Sequence, residues 1–285
     1  MEISLSMSHD DTRPVALTAQ WTAMARSVES QRPDAMFHDP WAELLAGKSG
    51  AGWLELQPPE HPGLRIALRT RFFDDFFEKH MGDGEPRQVV LLAAGYDTRA
   101  FRLAWPAGTT LFEIDQPAVL ARKDDILRQA QAQPQCTRIT IGMDLSFQWT
   151  APLLAAGFQP DTPSIWLIEG LLMYLAPEDA RQVVATVTQL ASGGSWLGVD
   201  LLNPATLTSP WTRDRIERLA NRGMPWQFGV DDPHAWLDSQ GWDAQVMSMA
   251  EVGRQYGRWP YPPVSSNLPP DQMPSSFLVT AKRQE

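Results

Sequence analysis

A single cysteine, Cys136, stands among the 285 residues, so the chain can form neither an internal disulfide nor a cysteine-based zinc site. No apolar run approaches the roughly 20 residues needed to cross a bilayer. Positive charge is scarce: 24 Lys and Arg face 34 Asp and Glu, a formal net charge of -10. Nucleic acid and anionic membranes are bound through clustered cations, so neither is an expected partner. Residues 1–13 are polar and lack a signal-peptide pattern, and a cytoplasmic location is expected. Internal repeats, low-complexity tracts, metal-ligand clusters and a clean domain linker are also missing. What remains is ordinary globular material, 43% hydrophobic and 20% charged, long enough for one large α/β domain with its own core. The 12 tryptophans offer flat apolar area to core and pocket alike.

The chain is organised around Val89-Val90-Leu91-Leu92-Ala93-Ala94-Gly95-Tyr96-Asp97-Thr98-Arg99. A short β-branched and leucine-rich run, small residues and one glycine predict a buried parallel strand turning tightly into a helix. Ligands of open α/β sheets lie at the carboxyl ends of such strands, and Gly95 is the expected point of close backbone approach. Further strands are predicted over 109–114, ending at Asp115; over 138–142, ending at Met143-Asp144-Leu145; over 164–168, ending at Glu169; and over 195–202. Helices are predicted over 14–29, 64–80, 98–103, 117–131 and from Pro177, and another from Pro40 with Asp39 as its cap. Residues 47–63 read as a loop. Residues 203–230 read as a helical insertion with Trp211, Ile216 and Leu219 as its apolar side. Asp232 caps a further helix, 244–249 is a strand, 257–275 is a proline-rich loop, and 277–281 is a closing edge strand. In the helix over 64–80, Arg65 and Arg71 read as solvated, with Arg71 beside Asp74 and Asp75. Arg69, between Leu68 and Phe73, is placed to turn inward.

Four strand ends thus aim Gly95, Asp115, Asp144 and Glu169 at one crevice. Asp115 lies twenty residues after Gly95, where a nucleotide-binding βαβ unit places an acid for the ribose hydroxyls, and Glu113 falls on the same face. A dinucleotide rests its pyrophosphate on the helix N-terminus and normally requires three glycines. Here position 93 is alanine, position 98 is threonine, and Asp97 opens the helix with a charge that repels pyrophosphate. S-adenosyl-L-methionine carries adenine and ribose without phosphate. Its sulfonium and ammonium suit acidic strand ends, and its carboxylate requires a cation, for which Arg26 or Arg69 serves. This is the expected cofactor, with NAD the disfavoured alternative.

Ala94-Gly95-Tyr96-Asp97-Thr98-Arg99-Ala100-Phe101-Arg102-Leu103, Phe112-Glu113-Ile114-Asp115-Gln116-Pro117, Asp144-Leu145 and Glu169-Gly170-Leu171-Leu172-Met173-Tyr174-Leu175 occur in that order. Together with Arg32-Pro33-Asp34, Phe37-His38-Asp39-Pro40 and Arg69-Thr70-Arg71-Phe72-Phe73-Asp74-Asp75-Phe76, they resemble the leucine carboxyl methyltransferase family of class I S-adenosylmethionine-dependent methyltransferases, whose bacterial branch includes natural-product O-methyltransferases. The likeness runs over residues 13–283. It implies a seven-stranded, Rossmann-like sheet with strand seven antiparallel. It also implies one domain made of a helical lid over 1–82, a cofactor-binding core over 83–202, and a helical insertion with closing strands over 203–285. By position, the resemblance implies that Gly95 passes the methionine part, Asp115 holds the ribose and Asp144 with Leu145 meets the adenine. Glu169 lies near the methionine ammonium, and Arg69 with Arg26 pairs its carboxylate. The family usually has glycine where this chain has Ala93.

A carboxylate acceptor is already ionised at neutral pH and needs no base, whereas a phenol or alcohol does. His38 and Tyr174 are the neighbouring titratable side chains; neither is assigned as a base. Tyr174 and the insertion are the expected acceptor pocket. The expected reaction is O-methylation of a small molecule, at a carboxylate or hydroxyl. A protein C-terminal leucine is the alternative acceptor, and a non-catalytic cofactor-binding homologue is a third possibility.

Overall fold

The structure, a computed structural model, describes residues 14–54, 61–82, 87–261 and 273–284. A seven-stranded sheet runs through the molecule in the order β3-β2-β1-β4-β5-β7-β6. Its strands are β1 (Gln88–Leu92), β2 (Thr110–Asp115), β3 (Thr137–Gly142), β4 (Ser164–Ile168), β5 (Trp196–Leu202), β6 (Trp242–Ser248) and β7 (Ser276–Arg283). The first five are mutually parallel. Strand β7 is antiparallel to both β5 and β6. It was expected at an edge but lies inside, and β6 forms the edge. The alternation read in its sequence cannot separate the two places, because β6 reaches the edge only by a late crossover.

Period-2 alternation divides the core between the two faces of the sheet. Val90, Leu92, Phe112, Ile114, Trp166 and Ile168 point to one face, against α6 (Thr150–Ala155), α7 (Pro177–Leu190) and α10 (Pro233–Asp238). Val89, Leu91, Leu111, Ile165 and Leu167 point to the other. There they meet α1 (Pro14–Ser30), α2 (Ala42–Leu54), α3 (Leu64–His80), α4 (Arg99–Arg102), α5 (Pro117–Gln129) and α11 (Met249–Gln255). Burial on both faces explains why β1 and β4 read as unbroken apolar runs. Among the described residues no helix is long and apolar enough to cross a membrane.

Three local expectations change. Helix α2 bends at Gly47 (φ 56°) and continues to Leu54, so part of the expected 47–63 loop is helical; 55–60 lie outside the described residues. Helix α11 went unforeseen although Ser248 and Glu251 form a capping box, the S-x-x-E signature that marks such a start. The insertion contains α8 (Ala205–Thr208) and α9 (Arg213–Ala220), but α9 buries no residue and Trp211 is 60% exposed, so the expected apolar side is not a core face. Much of the proline-rich loop, 262–272, lies outside the described residues.

The turn after β1 carries Ala93 at φ 53° and Gly95 at φ 49°. Glycine visits this left-handed region freely, whereas an alanine there costs about 1–2 kcal/mol. The extra freedom of glycine in the unfolded chain offsets part of that gain. Ala93→Gly is therefore expected to stabilise the protein by about 0.5–1 kcal/mol, seen as a higher urea midpoint. An unchanged or lowered midpoint would show that the turn is unstrained.

Candidate functional site

Strand order reverses between β1 and β4, since β2 lies beyond one and β5 beyond the other. Crevices at such switch points, outside the carboxyl ends, are where open α/β sheets bind ligands. A cavity of about 720 Å³ opens there. Gly95, Asp115, Asp144, Leu145, Glu169 and Tyr174 line it, as do Arg26 and Arg69. His38 does not: it is exposed, outside the cavity lining, while its neighbour Asp39 turns inward. The histidine that lines the cavity is His61, edge-on to Tyr261.

Asp115 ends β2 and is almost fully buried. Its carboxylate accepts from Gly95 N and Gln116 N, each at 2.6 Å. The two strand ends are thus tied together, and a carboxylate retains acceptor capacity after two bonds. Burial pushes the Asp115 carboxyl up, and these backbone donors pull against it. Asp144 accepts from Ser146 N and Oγ, folding the chain after β3 into a tight turn. Glu113 was expected beside Asp115 but is fully buried away from the cavity, held by Lys123 (2.8 Å) and Arg138 (2.7 Å). The two share a face of β2, but Glu113 lies two residues short of the strand end, under α5, and only the last side chain reaches the crevice.

Behind these residues lies a buried ionic lattice that pairwise sequence reading missed. Arg99 is 2% exposed. It donates to Asp74 (2.7 Å), Glu169 (2.8 Å), the Thr70 carbonyl (3.3 Å) and Asp97. Arg102 grips Asp74 with both terminal nitrogens at 2.6 and 2.7 Å. Asp74 was therefore misjudged as surface; only Arg71 and Asp75 form the expected solvated pair. Arg69 turns inward as expected, donating to Glu169 (2.9 Å) and Asp200 (3.0 Å). Asp200, within the apolar strand β5, also accepts from Gly170 N at 2.6 Å. A lone acid in such a strand was the available signal. Arg26 donates to Asp39 (2.8 Å) and to the Tyr96 carbonyl (2.6 Å), and Asp39 accepts from Thr98 Oγ1 as well. The lattice explains the local turns: Asp97 accepts from Arg99 N and closes the first turn of α4, while Asp39 accepts from Trp41 N ahead of α2.

Charge in this lattice is coupled to stability. Burial opposes ionisation of Asp97, but Arg99, Lys123 and Arg102 outweigh it and hold its carboxyl down to about 2. Burial likewise opposes Glu169, which Arg99 and Arg69 keep below its ordinary value, and Asp39 is lowered by Arg26 and Arg102. A carboxyl depressed in the folded state stabilises above its unfolded value, near 3.9 for Asp, and loses that contribution as pH falls through the folded one. Asp115 and Asp200, raised by burial, act in the opposite sense. The three depressed groups outnumber the two raised ones. Urea midpoints are expected to drop between pH 4 and pH 2, Asp97 alone accounting for about 2 kcal/mol. A flat profile over that interval would refute the coupling.

Strand order, the reversed β7 and the switch-point cavity define a class I methyltransferase fold. A solved candidate methyltransferase of Thermobifida fusca shares it, with TM-score 0.61 and 14% identity over 100% of both chains. A solved protein of Streptomyces avermitilis from the duf574 family aligns at TM-score 0.55, with 14% identity, over 95% of this chain and 100% of its own. The chain belongs to the leucine carboxyl methyltransferase family, which it matches over residues 19–188. A candidate S-adenosyl-L-methionine-dependent methyltransferase of Streptomyces coelicolor is 39% identical over 285 aligned residues, 94% of this chain and 95% of that protein. Another, of a Parafrankia species, is 36% identical over 280, covering 94% and 87%.

Proposed function

We propose that this protein is an S-adenosyl-L-methionine-dependent O-methyltransferase that methylates a carboxylate of a small molecule. The observation that carries the reading is the charge of the cradle. Arg26, Arg69, Arg99 and Arg102 face Asp39, Asp74, Asp97, Asp115, Glu169 and Asp200, four cations against six carboxylates. That surplus of negative charge suits a cationic adenosyl ligand and repels a pyrophosphate. The carboxylate of Asp97 already occupies the Arg99 amide at the start of α4, where a dinucleotide would need it.

When bound, the cofactor supplies an electrophilic methyl group on a sulfonium. In this reading Asp115 holds the ribose hydroxyls, Asp144 and Leu145 meet the adenine, and Gly95 leaves room for the methionine part. Glu169 takes the ammonium. Arg69 takes the carboxylate with the nitrogen that has no partner among the described residues, and Arg26 assists. Residues 1–82 serve as the lid, 83–202 as the cofactor core and 203–285 as the acceptor-side cap.

Methyl transfer to a carboxylate requires alignment and exclusion of water rather than proton removal. Tyr174 is compatible with this reading: burial pushes its phenol up, which keeps it in the protonated form that can donate to an acceptor carboxylate. The lining of His61 keeps hydroxyl methylation as a second reading, in which His61→Gln abolishes activity on phenols. Calorimetry with S-adenosylhomocysteine and NAD tests the cofactor. Saturable binding of the first and none of the second is expected, and binding of NAD alone sinks the proposal. Transfer of a labelled methyl group to a panel of small acids against their amides tests the acceptor; label on the amides alone refutes a carboxylate. Label on a leucine-ended peptide but on no small acid favours a protein acceptor.

A further inference from the structure

The outer wall of the cavity inverts the chemistry of the inner one. Arg215 and Arg218 on α9, and Arg222 just after it, recur at i, i+3 and i+7, so they share one side of the helix. All three line the cavity, and Arg65 from α3 joins them. Each inner arginine is matched by a carboxylate, but among the described residues none pairs with these four. Tryptophans orient three of them instead: Arg215 lies over Trp226 at 4.8 Å, Arg222 over Trp21 at 5.8 Å and Arg65 over Trp259 at 5.5 Å. Arg65 also donates to Ser276 Oγ at 3.3 Å. Aromatic faces fix a guanidinium in place without neutralising it.

The cations repel one another. Arg215 is exposed to the cavity; the loss of water beside the wall and then Arg65 bring its guanidinium down to about 10, with Arg218 adding to the effect, so it is still protonated at neutral pH. A chain of net charge -10 has ample carboxylates to quench such a cluster, yet the described ones leave it open. One carboxylate near Tyr174 and Arg69 would occupy at most one or two of these arginines. The rest, open to the cavity, are placed to take further negative charge from the ligand.

We propose that the acceptor carries a second anionic group, a carboxylate or phosphate that is not methylated, and that Arg215, Arg218, Arg222 and Arg65 hold it. The inference rests on the methyltransferase reading and specifies its substrate class: a small di- or polyanion, planar enough to lie against Tyr174 and Trp226.

The test titrates the protein, saturated with S-adenosylhomocysteine, with phthalate, phenyl phosphate and benzoate. Phthalate or phenyl phosphate is expected to bind at least about tenfold more tightly than benzoate, weakening as salt rises. Whichever dianion binds tighter tells carboxylate from phosphate. Arg215→Gln is expected to remove that preference and Arg215→Lys to keep part of it. Affinity for S-adenosylhomocysteine stays unchanged in both. Equal binding of benzoate and the dianions, or no saturable binding of either dianion at millimolar concentration, overturns the proposal. So does an Arg215→Gln variant that keeps the preference, or one that loses the cofactor product instead, since these cations would then belong to the cofactor. Failure of the wild-type protein to bind S-adenosylhomocysteine refutes the methyltransferase reading separately. The dianion titrations on the free protein then judge the arginine site by itself.

Discussion

Replacing Arg99 by methionine is expected to cost about 3–5 kcal/mol, because it leaves buried carboxylates without their counter-ion. The damage is unequal among its partners. Asp74 keeps both bonds from Arg102, and Glu169 keeps Arg69. Asp97 loses the one guanidinium that is paired with it among the described residues. The double variant Arg99→Met with Asp97→Asn should therefore recover about 1–2 kcal/mol, since a neutral amide is cheaper to bury than an orphaned charge. Urea unfolding followed by tryptophan fluorescence measures both variants. If Arg99→Met falls within about 1 kcal/mol of wild type, the lattice is not the brace described here, because surface pairs cost no more than that. Of a typical total stability of about 5–15 kcal/mol, this one side chain guards a large share.

Asp115→Asn is expected to weaken binding of S-adenosylhomocysteine by about 30- to 100-fold, the equivalent of roughly 2–3 kcal/mol. An asparagine keeps the shape but has one acceptor oxygen where the carboxylate serves both Gly95 N and Gln116 N. Its amide group must then face a backbone donor, which loosens the β1 turn, and the charge that would strengthen bonds to ribose hydroxyls is gone. Stability should change less than affinity, because burial already penalises the ionised form of Asp115. Calorimetry alongside urea unfolding separates the two effects. Affinity within threefold of wild type would mean that Asp115 only ties the strands together. Wild-type binding should also weaken toward acid pH sooner than for an ordinary aspartate, since the carboxyl is raised and its ionised form is the one that would accept from the ribose hydroxyls in the proposed mode.

The strand-end residues were legible because their positions follow from the chain's own periodicity. A strand buried on both faces has to be apolar, so its end is marked where polarity returns, as at Asp115 and Glu169. The turn after β1 was legible through its small residues, and Arg69 through its neighbours on an apolar helical face. His38 misled because its neighbour Asp39 is the one turned inward, and a helix entry offers no period by which to orient side chains. Arg215 was overlooked because the insertion was read for its apolar residues, whereas its repeating arginines face the cavity.

By itself, then, the sequence determined the order of strands and helices, the polar ends that converge on one crevice, and a turn unsuited to pyrophosphate. These are local consequences of burial and backbone sterics. Only the tertiary structure decided that β7 lies inside the sheet, that Arg99 binds Asp74, Asp97 and Glu169 together, and that four outer arginines face the cavity with no carboxylate partner among the described residues. Electrostatic partners are set by distances between residues far apart in the chain, and no sequence periodicity encodes those. The turn around Gly95 therefore points to the kind of cofactor, and the arrangement of charge across the cavity carries the proposal for the acceptor.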